Sequence, residues 1–370
     1  MLNIKTSQQL FSHPLYLDSG RILTPFVQKY ETYGELNEDK SNVILICHAF
    51  SGSHHAAGIY ENDSKPGWWD DFIGKNKPVD TDTNFVICIN VVGSCFGSTG
   101  PMSEDARNGK PYRLKFPVVT VQDMVRAQKI LLDKLGIYHV KAIIGGSMGG
   151  MQALAFAVMY PDFAKIIIPM ATTHTTSSWV IALNKVAQNA LLTDPKFNNG
   201  EYDHDDIVHN GMPGLATARM AGFLGYISPD GMNQKFGRNY VANDGLYELF
   251  GRFEVERYLD YNGGSFPKKF DPLSFLYLLK AINIFDLSSG FDGLGDAIAR
   301  IKSNLYLLAF KGDTMFFPED MRAIHEVMQK LGKTNSHYLC IDSDYGHDAF
   351  LIEIDKFGDL VYEILEKKNG

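Results

Sequence analysis

The chain has 370 residues, of which 45% are hydrophobic and 21% are charged, a composition typical of a globular protein. Its 35 basic and 43 acidic residues leave a net charge of −8, which opposes non-specific attraction to nucleic acid or to an anionic membrane surface. We therefore expect neither nucleic acid nor a membrane as a partner.

The first 16 residues lack the basic start and apolar core of a secretory signal, and no later stretch resembles a membrane span. The sequence therefore predicts a soluble, cytoplasmic protein. None of its four cysteines has metal-ligand spacing, and we interpret them as reduced packing residues. They are Cys47, Cys88, Cys95 and Cys340. We expect no bound metal.

Four apolar runs rich in β-branched residues predict strands in the first half of the chain. They are VILIC (43–47), FVICINVV (85–92), VKAII (140–144) and KIIIPM (165–170). Runs that are apolar throughout are typical of a parallel sheet covered on both faces. Residues 120–137 show helical apolar spacing behind Thr120 and Asp123, a pair that resembles a capping box. The order predicts alternating strands and helices.

A different pattern begins after about residue 171. Residues 177–192, 214–226 and 272–285 have helical apolar periodicity, and polar connections such as 198–206 join them. These segments predict a group of helices inserted into the strand and helix alternation.

Strand-like runs resume at NLYLLAF (304–310) and SHYLCI (336–341), ahead of an amphipathic segment from about residue 348 to 367. An α/β core interrupted by a helical lid fits this order. The predicted division is a core of residues 1–171 and 297–370 with a lid of residues 172–296.

The sequence Gly145-Gly146-Ser147-Met148-Gly149 matches G-x-S-x-G between an apolar strand and an apolar helix, the setting of a nucleophile elbow. Glycine neighbours permit the strained turn that such a serine occupies. The Met148 N–H then lies at a helix start, where it can stabilise an oxyanion. We predict Ser147 as the nucleophile and Met148 as an oxyanion-hole residue; the alternative is an ordinary N-cap serine.

A serine nucleophile requires a histidine base and a carboxylate, and in this setting the chain order is serine, acid, histidine. Asp313 follows the predicted strand 304–310, and His347 follows the predicted strand 336–341. Both residues would lie at the carboxyl ends of strands, where open α/β sheets place their sites. Less favoured candidates are Asp320, Asp342 and Asp344 for the acid and His337 for the base.

The second oxyanion donor is expected in the loop after an early strand, here CHAFSGSHHAAG (47–58). We predict the Phe50 N–H for this role. His48 is interpreted as a hydrogen-bonding loop residue. His54 and His55 have no partner ligands at metal spacing.

Motifs along nearly the whole chain carry a family resemblance. They are CHAFSGSHHAAG (47–58), GWWDDFIG (67–74), DTNFVICINVVGSCFGSTGP (82–101), FPVVTVQDMV (116–125), GGSMGGMQAL (145–154), GLATARMAGFLGY (214–226), FEVERYLDYNG (253–263), GDTMFFP (312–318) and GHDAF (346–350). Together they resemble the homoserine O-acetyltransferase family, enzymes of the α/β-hydrolase fold that act in methionine biosynthesis. The resemblance implies the same triad and oxyanion hole.

The resemblance also implies that Arg219, Tyr226 and Asp348 hold an amino-acid acceptor. Arg219 and Tyr226 are seven residues apart, so on a helix they lie about 20° from the same angular position. An arginine suits the acceptor's carboxylate, and Asp348 suits its ammonium group. The alternative for all three is a surface or lid-packing role.

The activity implied is transfer of an acetyl group from acetyl-CoA to L-homoserine through an acyl-enzyme on Ser147. The resemblance also implies that the enzyme needs no cofactor and uses acetyl-CoA as a co-substrate. It implies that the partners are small molecules and that the chain forms a homodimer through the lid. HAFSG (48–52) here replaces the family's usual HALTG, and the bulkier Phe50 could alter the size of acyl group preferred, so succinyl-CoA is an alternative donor. Serine is an alternative acceptor within related enzymes. A carboxylesterase and a non-catalytic binding protein are the alternatives on the same scaffold.

Overall fold

The computed structural model describes residues 2–61, 63–242 and 245–366. Its sheet contains the strands β1 Ile4–Phe11, β2 Phe26–Tyr33, β3 Val43–Cys47, β4 Phe85–Ile89, β5 Val140–Gly146, β6 Ala164–Met170, β7 Asn304–Phe310 and β8 Ser336–Ile341. Within the described residues these eight strands form one sheet, in the spatial order β1-β2-β4-β3-β5-β6-β7-β8. Strand β2 is antiparallel to both of its neighbours, and the remaining neighbours are parallel.

Helices flank this sheet and fill the interval between β6 and β7. The α-helices of the described ranges are α1 Val121–Lys134, α2 Met148–Met159, α3 Ser178–Leu192, α4 His204–Asn210, α5 Pro213–Tyr226, α6 Pro229–Phe236, α7 Glu254–Ser265, α8 Pro272–Asn283, α9 Leu294–Ala299, α10 Pro318–Lys330, α11 Ala349–Ile352 and α12 Gly358–Glu366. Helix α1 begins with the predicted capping box between Thr120 and Asp123.

The central strand β3 shows why its sequence is apolar throughout. Val43, Leu45 and Cys47 belong to one hydrophobic cluster, whereas Ile44 and Ile46 belong to a second cluster. Because successive side chains of a strand point to opposite faces, both faces of the sheet are covered. This confirms the parallel, doubly covered sheet predicted from the apolar runs.

The predicted strands are all present, with differences at their ends. The run predicted over 85–92 stops at Ile89 because the Val91 N–H donates to His48 Nε2, 3.1 Å away, instead of to a neighbouring strand. The strand predicted over 140–144 continues to Gly146, since Gly145 and Gly146 remain in register with β6.

Strands β1 and β2 were not predicted. Most of β1 is exposed or half-buried, so its sequence lacks the apolar run by which the other strands were recognised. It forms because its backbone pairs with β2 from Ile4 to Phe11. Tertiary pairing thus outweighs a weak local pattern here.

The amphipathic segment predicted from about residue 348 to 367 is not one continuous helix. It divides into α11, a short 3-10 helix Ile354–Lys356, and α12. The break falls at Glu353, whose carboxylate accepts a hydrogen bond from Ser343 Oγ at 2.5 Å. The predicted end at Lys367 lies outside the described residues.

Helices α3 to α8 lie within the segment 172–296 that was predicted as a lid, whereas α9 crosses its predicted end. The exact domain boundaries stay a prediction. Helix α5 packs against α3 and α7, and it also contacts the 3-10 helix Gly346–Asp348. The inserted helices therefore reach the turn that carries His347. Among the described residues no helix has both the length and the apolar content to cross a membrane.

Candidate active site

Ser147 occupies a strained turn between β5 and α2. Its backbone has φ +57° and ψ −124°, a region that L-residues adopt rarely and at an energetic cost. The turn is held by a hydrogen bond from Ser147 N–H to Met170 O at 2.9 Å and by one from Thr172 Oγ1 to Ser147 O at 2.8 Å. Ser147 as a whole residue is 8% exposed, so it is largely buried.

Close backbone approach explains the glycines around Ser147. A Cβ on Gly149 would lie 2.1 Å from Cys47 O, and one on Gly145 would lie 2.5 Å from the Gly149 carbonyl carbon. A Cβ on Gly146 would lie 2.2 Å from the Phe350 ring. The expectation that glycine neighbours permit the strained turn is confirmed, with backbone contacts at Gly145 and Gly149 and a side-chain contact at Gly146.

The structure brings Ser147, His347 and Asp313 together into a hydrogen-bonded relay. His347 Nε2 is 2.9 Å from Ser147 Oγ, and His347 Nδ1 is 2.9 Å from Asp313 Oδ2. An ionised carboxylate only accepts, so Nδ1 carries the proton and Nε2 accepts from the serine hydroxyl. This arrangement suits abstraction of the serine proton.

Asp313 is held in place by the loop after β7. Its Oδ1 accepts hydrogen bonds from the Met315 and Phe316 N–H groups at 2.8 and 2.9 Å. Oδ2 is therefore left to orient the imidazole of His347. Both the aspartate and the histidine are buried, which strengthens their electrostatic interaction.

Burial alone would lower the pKa of His347, but the negative charge of Asp313 and the hydrogen bond to it outweigh this effect and raise the pKa above its ordinary value. A higher pKa makes the neutral imidazole a stronger base. The ring is enclosed by Tyr226, Phe316 and Phe350, with centroids 5.3 to 6.1 Å away. These aromatic rings limit the access of water to the base.

The two predicted oxyanion donors lie on the backbone segments that follow β3 and β5. Met148 is the first residue of α2, and Phe50 lies in the loop of residues 48–58, which we call the oxyanion loop. Within the described part of the chain, neither backbone N–H donates a hydrogen bond. Both donors thus remain free for a ligand oxygen.

His48 begins the oxyanion loop and is fully buried. Its Nε2 accepts from the Val91 N–H at 3.1 Å, so its Nδ1 carries the proton and lies 2.8 Å from Ala49 O. Burial lowers the pKa of His48 to about 4, which keeps the ring neutral. The structure thus gives His48 the hydrogen-bonding role expected from the sequence.

A buried carboxylate, Glu31, supports the far end of the oxyanion loop. It lies 2.6 Å from Tyr33 OH and 3.0 Å from His55 Nδ1, and Tyr60 also donates to it. Burial by itself would raise the pKa of Glu31, but these hydrogen bonds outweigh it and hold the pKa below its ordinary value. The Tyr33 hydroxyl in turn accepts from the Ala56 N–H at 2.7 Å.

The residues expected to hold an acceptor lie beside the relay. Arg219 rests on the rings of Phe223, Tyr226 and Phe266, with its guanidinium carbon about 5 Å from each centroid. Tyr226 stacks 6.1 Å from the His347 ring. Among the described residues Arg219 forms no salt bridge, so its guanidinium is free to bind a carboxylate.

Asp348 directly follows the base and is half-buried. Burial raises its pKa to about 6, although the nearby His347 and Arg219 act in the opposite direction. A cationic ligand at this position would favour the ionised carboxylate further. The cation of Arg219 and the carboxylate of Asp348 therefore offer a binding place for a zwitterionic amino acid.

The competing candidates for the triad lie elsewhere. Asp342 and Asp344 are exposed and pair with lysines. Asp320 is half-buried in the first turn of α10, and His337 is exposed on β8, stacked 4.6 Å from Tyr306. None of these four residues takes part in the contacts of His347 with Ser147 and Asp313.

Comparison with known proteins identifies the family of this chain. A family model described as the alpha/beta hydrolase fold matches residues 42–353. A homoserine O-acetyltransferase of Nautilia profundicola is 60% identical over 366 residues, which is 99% of both chains. The chain belongs to the homoserine O-acetyltransferase family. As a member of this family it is an acyltransferase of the α/β-hydrolase fold, which confirms the fold class predicted above.

Two solved structures have the same overall shape as this family member. The homoserine O-acetyltransferase of Bacillus anthracis superposes with a TM-score of 0.92 at 29% identity, covering all of both chains. The structure of esterase E22 superposes with a TM-score of 0.88 at 30% identity, covering 98% of this chain and all of the other. The fold is thus shared by transferases and esterases.

Two residues that hydrogen-bond to the oxyanion loop of this acyltransferase were not predicted from the sequence. Glu31 was not singled out, because its strand was not recognised. Gln152, an amide within the apolar helix MGGMQALAFAVM, was not considered either, although a polar residue in such a run is a recognisable signal. The described residues contain no cluster of three or more His, Cys, Asp or Glu suited to a metal ion, and the expectation of no metal stays a prediction.

The strain at Ser147 leads to a stability prediction with a matched pair of variants. Ser147→Ala and Ser147→Gly both remove the hydroxyl, but only alanine keeps a Cβ at φ +57°. We expect Ser147→Gly to be more stable than Ser147→Ala by about 1 kcal/mol, as measured by urea unfolding. Equal stability of the two variants, or a more stable alanine variant, would show that the turn is not strained.

Proposed function

We propose that this acyltransferase is a homoserine O-acetyltransferase of methionine biosynthesis, which uses acetyl-CoA and forms an acetyl-enzyme on Ser147. The observation that carries the proposal is the place of Arg219 and Asp348 beside the His347 relay. An esterase needs only the relay and water, whereas an amino-acid acceptor needs a cation and a carboxylate. Use of acetyl-CoA also implies a cytoplasmic location.

In the first half-reaction, His347 Nε2 takes the proton of Ser147 Oγ as the oxygen attacks the thioester carbonyl. The Phe50 and Met148 N–H groups donate to the oxyanion that develops. When the tetrahedral intermediate collapses, the carbon–sulfur bond breaks and the CoA thiolate takes the proton from His347. An acetyl ester on Ser147 and free CoA result.

In the second half-reaction, the hydroxyl of homoserine loses its proton to His347 and attacks the acetyl ester. The bond between the acetyl carbon and Ser147 Oγ breaks, and the serine oxygen recovers the proton from His347. The products are O-acetylhomoserine and free enzyme. The raised pKa of His347 supports its alternation between base and acid.

Acetyl transfer must compete with hydrolysis, so the acceptor has to be positioned and water limited. Arg219 would bind the carboxylate of homoserine and Asp348 its ammonium group, which leaves the hydroxyl beside His347. Orientation of this kind gives effective molarities of roughly 10⁵ M or more. The aromatic rings around His347 exclude water from the same volume.

A carboxylesterase is the second candidate, because the fold is shared with an esterase as well as with a transferase. The two activities share the acyl-enzyme and differ in the group that discharges it. Succinyl-CoA as donor and serine as acceptor remain alternatives within the transferase proposal.

Intact-protein mass spectrometry tests the first half-reaction. After brief mixing with acetyl-CoA and no acceptor, we expect one added acetyl group on the peptide that contains Ser147. Addition of homoserine should then remove the acetyl group from the enzyme at least about tenfold faster than buffer alone does. The reason is that the hydroxyl of bound homoserine has a higher effective concentration than water at the acetyl ester. Succinyl-CoA and serine are tested in the same way.

The Ser147→Ala variant is the control and should carry no acetyl group. An adduct that survives this substitution would place the nucleophile elsewhere. Discharge that does not respond to homoserine would favour the esterase.

The acceptor site is tested with Arg219→Lys, which keeps the charge but loses the planar fork. We expect the KM for homoserine to rise by roughly tenfold to a hundredfold, because a paired, charge-assisted hydrogen bond is lost. The rate of acetyl-enzyme formation should stay within about twofold of the wild type. An equal loss in both half-reactions would instead indicate a general role for Arg219 in the fold.

We also propose a homodimer formed through the lid. Exposed apolar side chains are concentrated there, and Tyr247, Leu249 and Phe250 are 95, 87 and 89% exposed. Apolar surface of this kind is typical of protein interfaces. The resemblance to the family also implies a dimer interface in the lid.

Light scattering after size exclusion tests the dimer. Leu249→Glu with Phe250→Glu should convert a dimer into a monomer, because two charges would be buried without partners. Tyr138→Glu, which alters an exposed apolar residue of the core, is the control and should leave the mass unchanged. A wild-type chain that elutes as a monomer would refute the dimer.

A further inference from the structure

A buried side-chain amide joins the two backbone segments that form the oxyanion hole. Gln152 lies on α2 one turn after the elbow and is fully buried. Its Nε2 donates to His48 O and to Met148 O, both at 3.1 Å. The two hydrogens of one amide group therefore bind one carbonyl from each side of the hole.

The remaining atom of this amide is also satisfied. Gln152 Oε1 accepts from Gln128 Nε2 at 2.6 Å, and Gln128 Oε1 lies 3.9 Å from Cys47 Sγ. Gln128 is fully buried on α1. Burying two amides in an otherwise apolar core costs free energy unless every polar atom finds a partner. These three hydrogen bonds therefore fix the position of the Gln152 side-chain amide.

The two segments that Gln152 joins already touch each other. A Cβ on Gly149 would lie 2.1 Å from Cys47 O and 3.2 Å from His48 O, so the start of α2 packs directly on the root of the oxyanion loop. His48 is held from its other side as well, because its ring accepts the Val91 N–H. Only one residue, Ala49, then separates this fixed carbonyl from the Phe50 N–H.

We infer that Gln152 is a positioning residue that sets the separation between the Phe50 and Met148 N–H groups. It touches neither a substrate nor a reacting atom, and it acts by holding the two carbonyls of His48 and Met148 at a fixed distance. The inference rests on the proposed function, since it assumes that these two N–H groups bind an oxyanion. A displacement of about 1 Å at such a site can reduce a rate by about 100-fold.

The test compares the rate of Ser147 acetylation in three full-length proteins: wild type, Gln152→Met and Gln152→Glu. Methionine keeps the volume and removes both donors, and we expect about a 10-fold to 100-fold slower acetylation by acetyl-CoA. The KM for acetyl-CoA should stay within about twofold, because ground-state contacts are unchanged. A protonated, buried glutamic acid retains one donor, so Gln152→Glu should give an intermediate rate.

Gln128→Met is the matched control. It also removes a buried amide of the same network, but Gln128 contacts neither the His48 nor the Met148 carbonyl. We expect its Tm to fall about as much as that of Gln152→Met, while its acetylation rate remains near the wild-type rate. If the rates of both variants fell in parallel with their Tm values, Gln152 would be a stability residue only.

The outcomes separate this inference from the proposed function. If the wild type forms no acetyl-enzyme with acetyl-CoA or with p-nitrophenyl acetate, the proposed function fails and the inference fails with it. If the wild type is acetylated and Gln152→Met is acetylated at the same rate, only the inference is overturned. A slow Gln152→Met with an intermediate Gln152→Glu supports both.

Discussion

The site depends on one close contact, the packing of the Ser147 turn against the carbonyls that end β3. Gly149 has room for only a hydrogen atom beside Cys47 O, and this approach places the start of α2 next to the oxyanion loop. The backbone of Ser147 is strained as a result, and bonds from Thr172 and to Met170 hold it. The serine hydroxyl at this point lies 2.9 Å from His347 Nε2.

The environment of His347 combines the core and the inserted helices. Asp313 reaches it from the loop after β7, and Tyr226 reaches it from α5. The same helix carries Arg219, whose guanidinium rests on aromatic rings and has no carboxylate partner among the residues described. The three residues of the relay thus come from the core around the sheet, whereas Tyr226 and Arg219 come from an inserted helix. A shared fold between esterases and transferases is consistent with this division, because loops and insertions carry specificity.

Several features followed from local sequence because their physical causes are local. The apolar runs of β3, β7 and β8 and the capping box of α1 depend on side-chain periodicity and on a pair three residues apart. The G-x-S-x-G turn needs glycine wherever a Cβ would collide with a neighbouring atom, so the glycines in the sequence indicate where the backbone is closely packed. Asp313 and His347 were identifiable because each follows a predicted strand, and the carboxyl ends of parallel strands meet at one edge of the sheet.

Other features required the tertiary structure, because their causes lie between residues distant in the chain. Strand β1 has a polar sequence and forms through pairing with β2, and Glu31 is buried only because that pairing and the oxyanion loop cover it. Gln152 bonds to a carbonyl 104 residues away, a contact that no periodicity reveals. The sequence by itself determined the alternation of strands and helices around an inserted helical segment, the elbow and the three residues that form the relay. The tertiary structure alone decided the distances between them, because hydrogen-bond geometry is set by how distant segments pack together.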